Sequence, residues 1–203
     1  MLPLGHGQRL ARRPLAILAG AVALAGCGGG NAPKPVEPAD RPVRPPPGWR
    51  TVRNGVAGFT IVVPRSWTAR TRRSATLIRS RDKLVAATIA ADRGSQGRDT
   101  PAADYAEQTL RGLPDFEGSV SARVRRVRGS PYRSARVDGV GTVGTTRRAQ
   151  RLTVVIFQRP GVVTYAGVVF RNPSATSAAD EAALNRMLRT LRGQPPQRSG
   201  RSG

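Results

Sequence analysis

The placement of proline sets the first limit on this chain. Seven of its 17 prolines fall between Gly28 and Gly48, in the stretch GGGNAPKPVEPADRPVRPPPG. Proline fixes φ and lacks a backbone N–H, so neither helix nor sheet runs through that stretch. It is expected to be an extended tether reaching roughly 60 Å, at about 3.1 Å per residue. The tail from Gln194, QPPQRSGRSG, is polar and basic and reads as disordered. Any core must therefore come from 49–193, which is room for one ordinary domain. A hydrophobic fraction of 38% supplies enough apolar side chains for it.

The first 26 residues read as a leader. Arg9, Arg12 and Arg13 precede an apolar run from Leu15 to Ala25. That run is shorter than the ~20 residues a spanning helix needs. It ends in Leu24-Ala25-Gly26-Cys27, which resembles the lipobox of bacterial lipoproteins. The resemblance implies cleavage between Gly26 and Cys27 and a diacylglycerol on the Cys27 sulfur. Ala25 and Gly26 are small enough to enter a peptidase cleft, and Cys27 is the only thiol in the chain. No later segment is apolar enough to span, so membrane attachment is expected through Cys27 alone, on the extracytoplasmic face.

Within 49–193 the patterns are those of strands and two helices. Phe59, Ile61 and Val63 alternate on one face before Pro64. Ala75–Ser80 and Leu84–Ala91 read as a hairpin around Arg81-Asp82-Lys83. Thr100-Pro101 is expected to open a helix, with Thr100 as N-cap and Pro101 as first residue, and Pro114 to close it. Ser119–Val124 alternates, and the phase breaks at Arg125-Arg126, which predicts a bulge or strand end. Tyr132–Asp138 continues into a glycine-rich run. Arg151–Gln158 and Val162–Phe170 are apolar on both faces and belong at the centre of a sheet, joined by a Pro160-Gly161 turn. The last helix has Ser177 as N-cap, a stripe of Leu184, Met187, Leu188 and Leu191, and Gly193 as C-cap.

The expected order is β-β-β-β-α-β-β-β-β-α. Connections too short for parallel crossovers make the sheet largely antiparallel, and helices cover it, so the fold class is α+β. This order resembles the PsbP-like fold. The residues that carry the resemblance are Phe59-Thr-Ile-Val-Val-Pro-Arg-Ser-Trp67, Ser130-Pro-Tyr-Arg-Ser-Ala-Arg-Val-Asp-Gly139, and Val162-Val-Thr-Tyr-Ala-Gly167 followed by Leu184–Leu191. Together with the lipobox they place the chain nearest to actinobacterial LpqN-type lipoproteins. The resemblance implies a binding module rather than an enzyme.

Composition removes several chemistries. The single histidine, His6, lies in the leader, and Cys27 is consumed by lipid. Catalytic triads, Cys–His dyads and tetrahedral zinc sites therefore lack their ligands in the processed chain. Gly139-Val-Gly141-Thr-Val-Gly144 matches G-x-G-x-x-G, but a strand rather than a helix is expected to follow, so a dinucleotide site is rejected. Asp82, Asp92, Asp99, Asp104, Glu107, Asp115, Glu117, Asp180 and Glu181 fall in turns or at helix starts, and no pair stands out for glycosidase chemistry. Trp67 and Tyr165 are expected in the core, with Trp49 less decided. No cofactor is implied.

Charge is the remaining signal. The net charge is +22, and 32 of 34 basic residues are arginine, the exceptions being Lys34 and Lys83. A GC-rich coding bias accounts for this composition, since Arg, Ala, Gly and Pro all have GC-rich codons. Export argues against nucleic acid as partner. The alternative is a weak contact with envelope polyanions. Two clusters offer themselves for it: Arg65, Arg70, Arg72 and Arg73 around Trp67, and Arg123, Arg125, Arg126 and Arg128 before Ser130-Pro131. On an alternating strand Arg123 and Arg125 would share a face opposite Val124. The expectation is a lipid-anchored, non-catalytic module that binds an envelope protein, glycan or lipid. The alternative is an extracytoplasmic enzyme using carboxylate or arginine groups.

Overall fold

The computed structural model describes residues 41–121, 123–145 and 148–194. Cys27 with its lipobox, most of the tether and all of the tail after Gln194 lie outside the described residues. Residues 41–48 form neither helix nor strand.

The chain then runs through β1 (Trp49–Asn54), β2 (Phe59–Pro64), β3 (Thr68–Arg72), β4 (Ala75–Arg79) and β5 (Val85–Asp92). Next come α1 (Ser95–Asp99), α2 (Ala102–Arg111), β6 (Glu117–Val120), β7 (Arg133–Thr142), β8 (Gln150–Arg159) and β9 (Val163–Arg171). α3 (Ala178–Arg189) and β10 (Arg192–Gly193) close the fold. Seven strands form one antiparallel sheet in the order β3-β4-β5-β9-β8-β7-β6. β1, β2 and β10 form a second, three-stranded sheet. The molecule is α+β, as the short connections required.

The two most apolar strands, β8 and β9, sit centrally in the large sheet, where both faces are buried. Along β8, Leu152, Val154 and Ile156 pack with Ala106 and Leu110 of α2. Val155 and Phe157, on the opposite face, pack with Leu184, Met187 and Leu188 of α3 and with Phe59, Ile61 and Val63 of β2. Three layers result: α2, the large sheet, and α3 beside the small sheet. Trp67 and Tyr165 are core residues, and the Tyr165 hydroxyl donates to the Gly58 carbonyl at 2.8 Å. Trp49 packs at the margin of the same core, with the Arg186 guanidinium 5.2 Å above its ring.

Several expectations are corrected. Five strands, not four, precede the first helix, because β1 and β3 pair through their backbones while carrying polar sequences. Thr100 does not cap α2. It ends the unforeseen α1, donating its N–H to the Gln96 carbonyl at 3.1 Å, and Pro101 takes the N-cap position. Proline fits there because a helix leaves its first N–H groups unpaired anyway. α2 ends at Gly112, before Pro114. Gly193 is no C-cap either: Thr190 ends α3, and Gly193 pairs with Phe59. Leu191 thus lies just beyond the helix, yet is buried.

The strand expected over Ser119–Val124 is β6, which begins earlier, at Glu117, and stops at Val120. Its pairing depends on glycine. A Cβ on Gly118 would stand 2.2 Å from the Val140 carbonyl oxygen, and one on Gly141 2.4 Å from that of Glu117. The G-x-G-x-x-G run therefore serves strand-to-strand approach, and no helix opens after it. Beyond Ser121 the chain leaves the ladder and touches β7 again through the bridge of Arg125 to Arg136 and through the Val127 N–H, which donates to the Ser134 hydroxyl at 3.1 Å.

Candidate functional site: an arginine-rich cleft with two carboxylates

Strand pairing assembles a polar patch on the α3 side of the large sheet, at the end where β6 joins. One row across the ladder holds Ser119, Val140, Arg151 and Arg171. The next holds Ser121, Asp138 and Thr153. The third holds Arg125 and Arg136. In the neighbouring strand stretches this face carries apolar core, so the patch is a local exception to the alternation. It lines a cleft of about 420 Å³, to which Glu181 from the first turn of α3 also contributes.

Arg171 is the buried centre, with its side chain only 2% exposed. Its Nη1 donates to both oxygens of Glu181, at 2.7 and 2.8 Å. Its Nη2 donates to the Thr153 hydroxyl and lies 3.6 Å from Asp138 Oδ1. Its Nε has no hydrogen-bond partner among the described residues. Burial pulls the guanidinium below its ordinary pKa, and the Glu181 charge and hydrogen bonds oppose that fall.

Asp138 is the second centre. It accepts from Thr153 Oγ1, from Arg136 Nε and Nη2 at 3.1 and 3.0 Å, and from Arg125. Burial alone raises a carboxyl pKa, but the Thr153 and Arg136 hydrogen bonds, the Arg136 charge and the Arg125 hydrogen bond outweigh it. Asp138 is held below the ordinary carboxylate value. Arg136 also reaches Asn185 of α3, donating to its Oδ1 at 3.0 Å.

The four arginines singled out before Ser130 line one open hollow of about 620 Å³, though not by strand alternation. Arg125 turns toward Asp138, whereas Arg123, Arg126 and Arg128 are exposed and form no ion pair among the described residues. The expected strand alternation at 123–125 is absent, since its backbone pairs with β7 through an isolated bridge at Arg125, and Val124 is itself exposed. Arg125, Arg126 and Arg128 also line a small groove of about 180 Å³ beside Leu188 and Arg189. The other cluster, Arg65, Arg70, Arg72 and Arg73, is exposed along the edge strand β3 and its flanking turns.

The residues that sequence reading passed over are Asp138 and Arg171. The signal for them was present: Asp138 stands between Val137 and Gly139 within β7, and Arg171 directly follows the apolar run of β9. The other acids stay apart. Asp82 caps its own turn, and Ser80 and the Leu84 N–H hold its carboxyl below the ordinary value. Asp92 accepts from the Tyr105 hydroxyl at 2.6 Å and from Gly94 N–H at 2.7 Å. Glu107 pairs with Arg111 on α2. Among the described residues no group of three or more His, Cys, Asp or Glu is placed to hold a metal ion. No helix among them is long and apolar enough to cross a membrane.

No family model matches this chain, and no curated protein matches its sequence. Solved structures with a similar backbone include the Ran-binding protein Mog1p of Saccharomyces cerevisiae. It is 7% identical at a TM-score of 0.46, over 71% of this chain and 95% of that one. LpqN of Mycobacterium tuberculosis, which is involved in cell envelope biogenesis, is 18% identical at a TM-score of 0.46, over 72% of this chain and 91% of that one. A protein of Bacteroides thetaiotaomicron is 13% identical at a TM-score of 0.38, over 71% of this chain and 48% of that one.

Proposed function

We propose that this protein is a lipid-anchored, extracytoplasmic lipoprotein of the PsbP-like kind, and that its domain binds a ligand at the Asp138–Arg171 cleft without catalysing a reaction. The observation that carries the binding part is the state of the two carboxylates. A general acid needs a proton to give near neutral pH, and a general base needs a free oxygen facing its substrate. Asp138 is held ionised, with its oxygens occupied by Thr153, Arg136 and Arg125. Both oxygens of Glu181 accept from Arg171. Groups so committed fix the shape and charge of a site; they do not shuttle protons.

The anchoring part rests on Leu24-Ala25-Gly26-Cys27 behind a short apolar run and ahead of a proline-rich tether. Detergent-phase partition tests it. The wild-type protein is expected in the detergent phase and Cys27→Ala in the aqueous phase. Full membrane retention of Cys27→Ala defeats the reading.

One observation favours a second reading, an enzyme working with carboxylate or arginine groups: two acids converge on one cleft. Turnover of a chromogenic glycoside, ester or phosphate that disappears in Asp138→Asn would carry that reading instead.

A further inference from the structure

We infer that the cleft between β6, β8 and the first turn of α3 is a binding site for a phosphate group borne on a small organic ligand. The inference rests on the binding-module reading and names the ligand class of that same site.

The first ground is charge. Four arginines, Arg125, Arg136, Arg151 and Arg171, line the cleft against two carboxylates, Asp138 and Glu181. Two positive charges are left over in a pocket whose floor is a nearly inaccessible guanidinium. A protein of high net charge carries many exposed arginines, but those are solvated and screened. Here Arg171, Asp138 and Arg136 are only 2%, 19% and 21% exposed, so the inner charges act through a partly desolvated medium, while Arg125, 52% exposed, and the exposed Arg151 stand at the mouth, where an entering dianion meets them.

The second ground is the ladder. Arg151 is paired directly with Arg171 across β8 and β9. Like charges in that position repel. Glu181 and Asp138 compensate Arg171, whereas Arg151 has no ion pair among the described residues. An anion seated between Arg151 and the cluster relieves the repulsion.

The third ground is direction. Arg125 approaches from the segment after β6, Arg151 from β8, and the Ser119 and Ser121 side chains line the β6 wall. Donors arriving from several sides suit tetrahedral oxygens, and guanidinium edges bind phosphate with two parallel hydrogen bonds. Val140 borders the same cleft and is 47% exposed, which gives the carbon part of the ligand an apolar wall.

The test uses the exported lipoprotein in neutral maltoside micelles, titrated with inorganic phosphate and followed by calorimetry and thermal unfolding. Chloride at matched ionic strength controls for screening. Saturable binding is expected with phosphate and not with chloride. Arg151→Gln, which breaks no ion pair, and Arg125→Gln should each weaken it about tenfold, the size of one charge-assisted hydrogen bond. The double variant Arg70→Gln/Arg72→Gln, on the far edge strand, should leave it unchanged. Short-chain phosphatidylglycerol, with dihexanoylglycerol as the lipid lacking phosphate, separates two sources of the group. Competition with phosphate by the first alone identifies a lipid headgroup, and no competition identifies a soluble phosphate. Equal loss in the Arg70/Arg72 variant, or no advantage of phosphate over chloride, overturns the inference. Neither result alters the detergent partition of Cys27→Ala, so the two proposals fail separately.

Discussion

Arg171 of β9 gives a single nitrogen, Nη1, to both carboxylate oxygens of Glu181 in the first turn of α3. The pair ties the start of the last helix to the centre of the sheet and forms one wall of the cleft. It also makes the cleft sensitive to changes in the fold, because neither charge has a full set of other partners.

Removing one partner should cost more than removing both. Glu181→Ala leaves Arg171 buried with Thr153 and a more distant Asp138. It is expected to destabilise the domain toward the lower end of about 3–5 kcal/mol, since Glu181 is partly exposed. The double replacement Arg171→Met with Glu181→Leu should recover most of that loss. Urea unfolding of the three variants checks this, and additive losses would show that the pair is not coupled.

Leu188 is 2% exposed and packs between α3 and the sheet. Leu188→Ala should cost roughly 2–5 kcal/mol, the range for a buried leucine that leaves a cavity. A change below about 0.5 kcal/mol in chemical denaturation would place the helix outside the core.

Acid should weaken the fold partly through Asp138. Its carboxyl lies below the ordinary value in the folded state, so the unfolded chain takes up the proton first. The stabilisation is complete above the unfolded value of about 3.9 and is lost as pH falls through the lower folded value. Asp138→Asn is expected to be less stable at neutral pH and to show a shallower loss on acidification. Parallel acid titrations of unfolding free energy are the measurement; identical slopes would remove Asp138 from the account.

Base should act through Tyr105. Burial, and then the hydrogen bond to Asp92 and the charge of Asp92, push the phenol up to about 12. A raised folded value stabilises the fold below the unfolded value of about 10 and gives that stability up as pH climbs through 12. In Asp92→Asn the Tyr105 phenolate should appear at lower pH, as read by ultraviolet absorbance against a Tyr105→Phe blank. An unchanged titration would mean that burial alone sets the value.

Much of this fold is written locally. The alternation of Phe59, Ile61 and Val63 makes β2, the two-faced apolar runs place β8 and β9 centrally, and Ser177 caps α3 by accepting the Asp180 N–H. Each depends on near neighbours, which a sequence displays directly. β1 and β3 were not legible, because edge pairing satisfies backbone groups and asks little of the side chains. α1 was hidden because its five residues present a single buried position, Gly97, and so no apolar period.

The cleft was decided by tertiary structure. Asp138, Arg171 and Glu181 lie on three separate elements, and nothing in their local spacing relates them. Strand register brings Asp138 beside Thr153 and Arg171 opposite Arg151, and the docking of α3 adds Glu181. The sequence determined that charges lie within β7 and at the end of β9, beside apolar neighbours. Which charges meet, and whether each is neutralised, followed only from long-range pairing, because a charge cannot remain in a core without partners and the chain folds until it finds them.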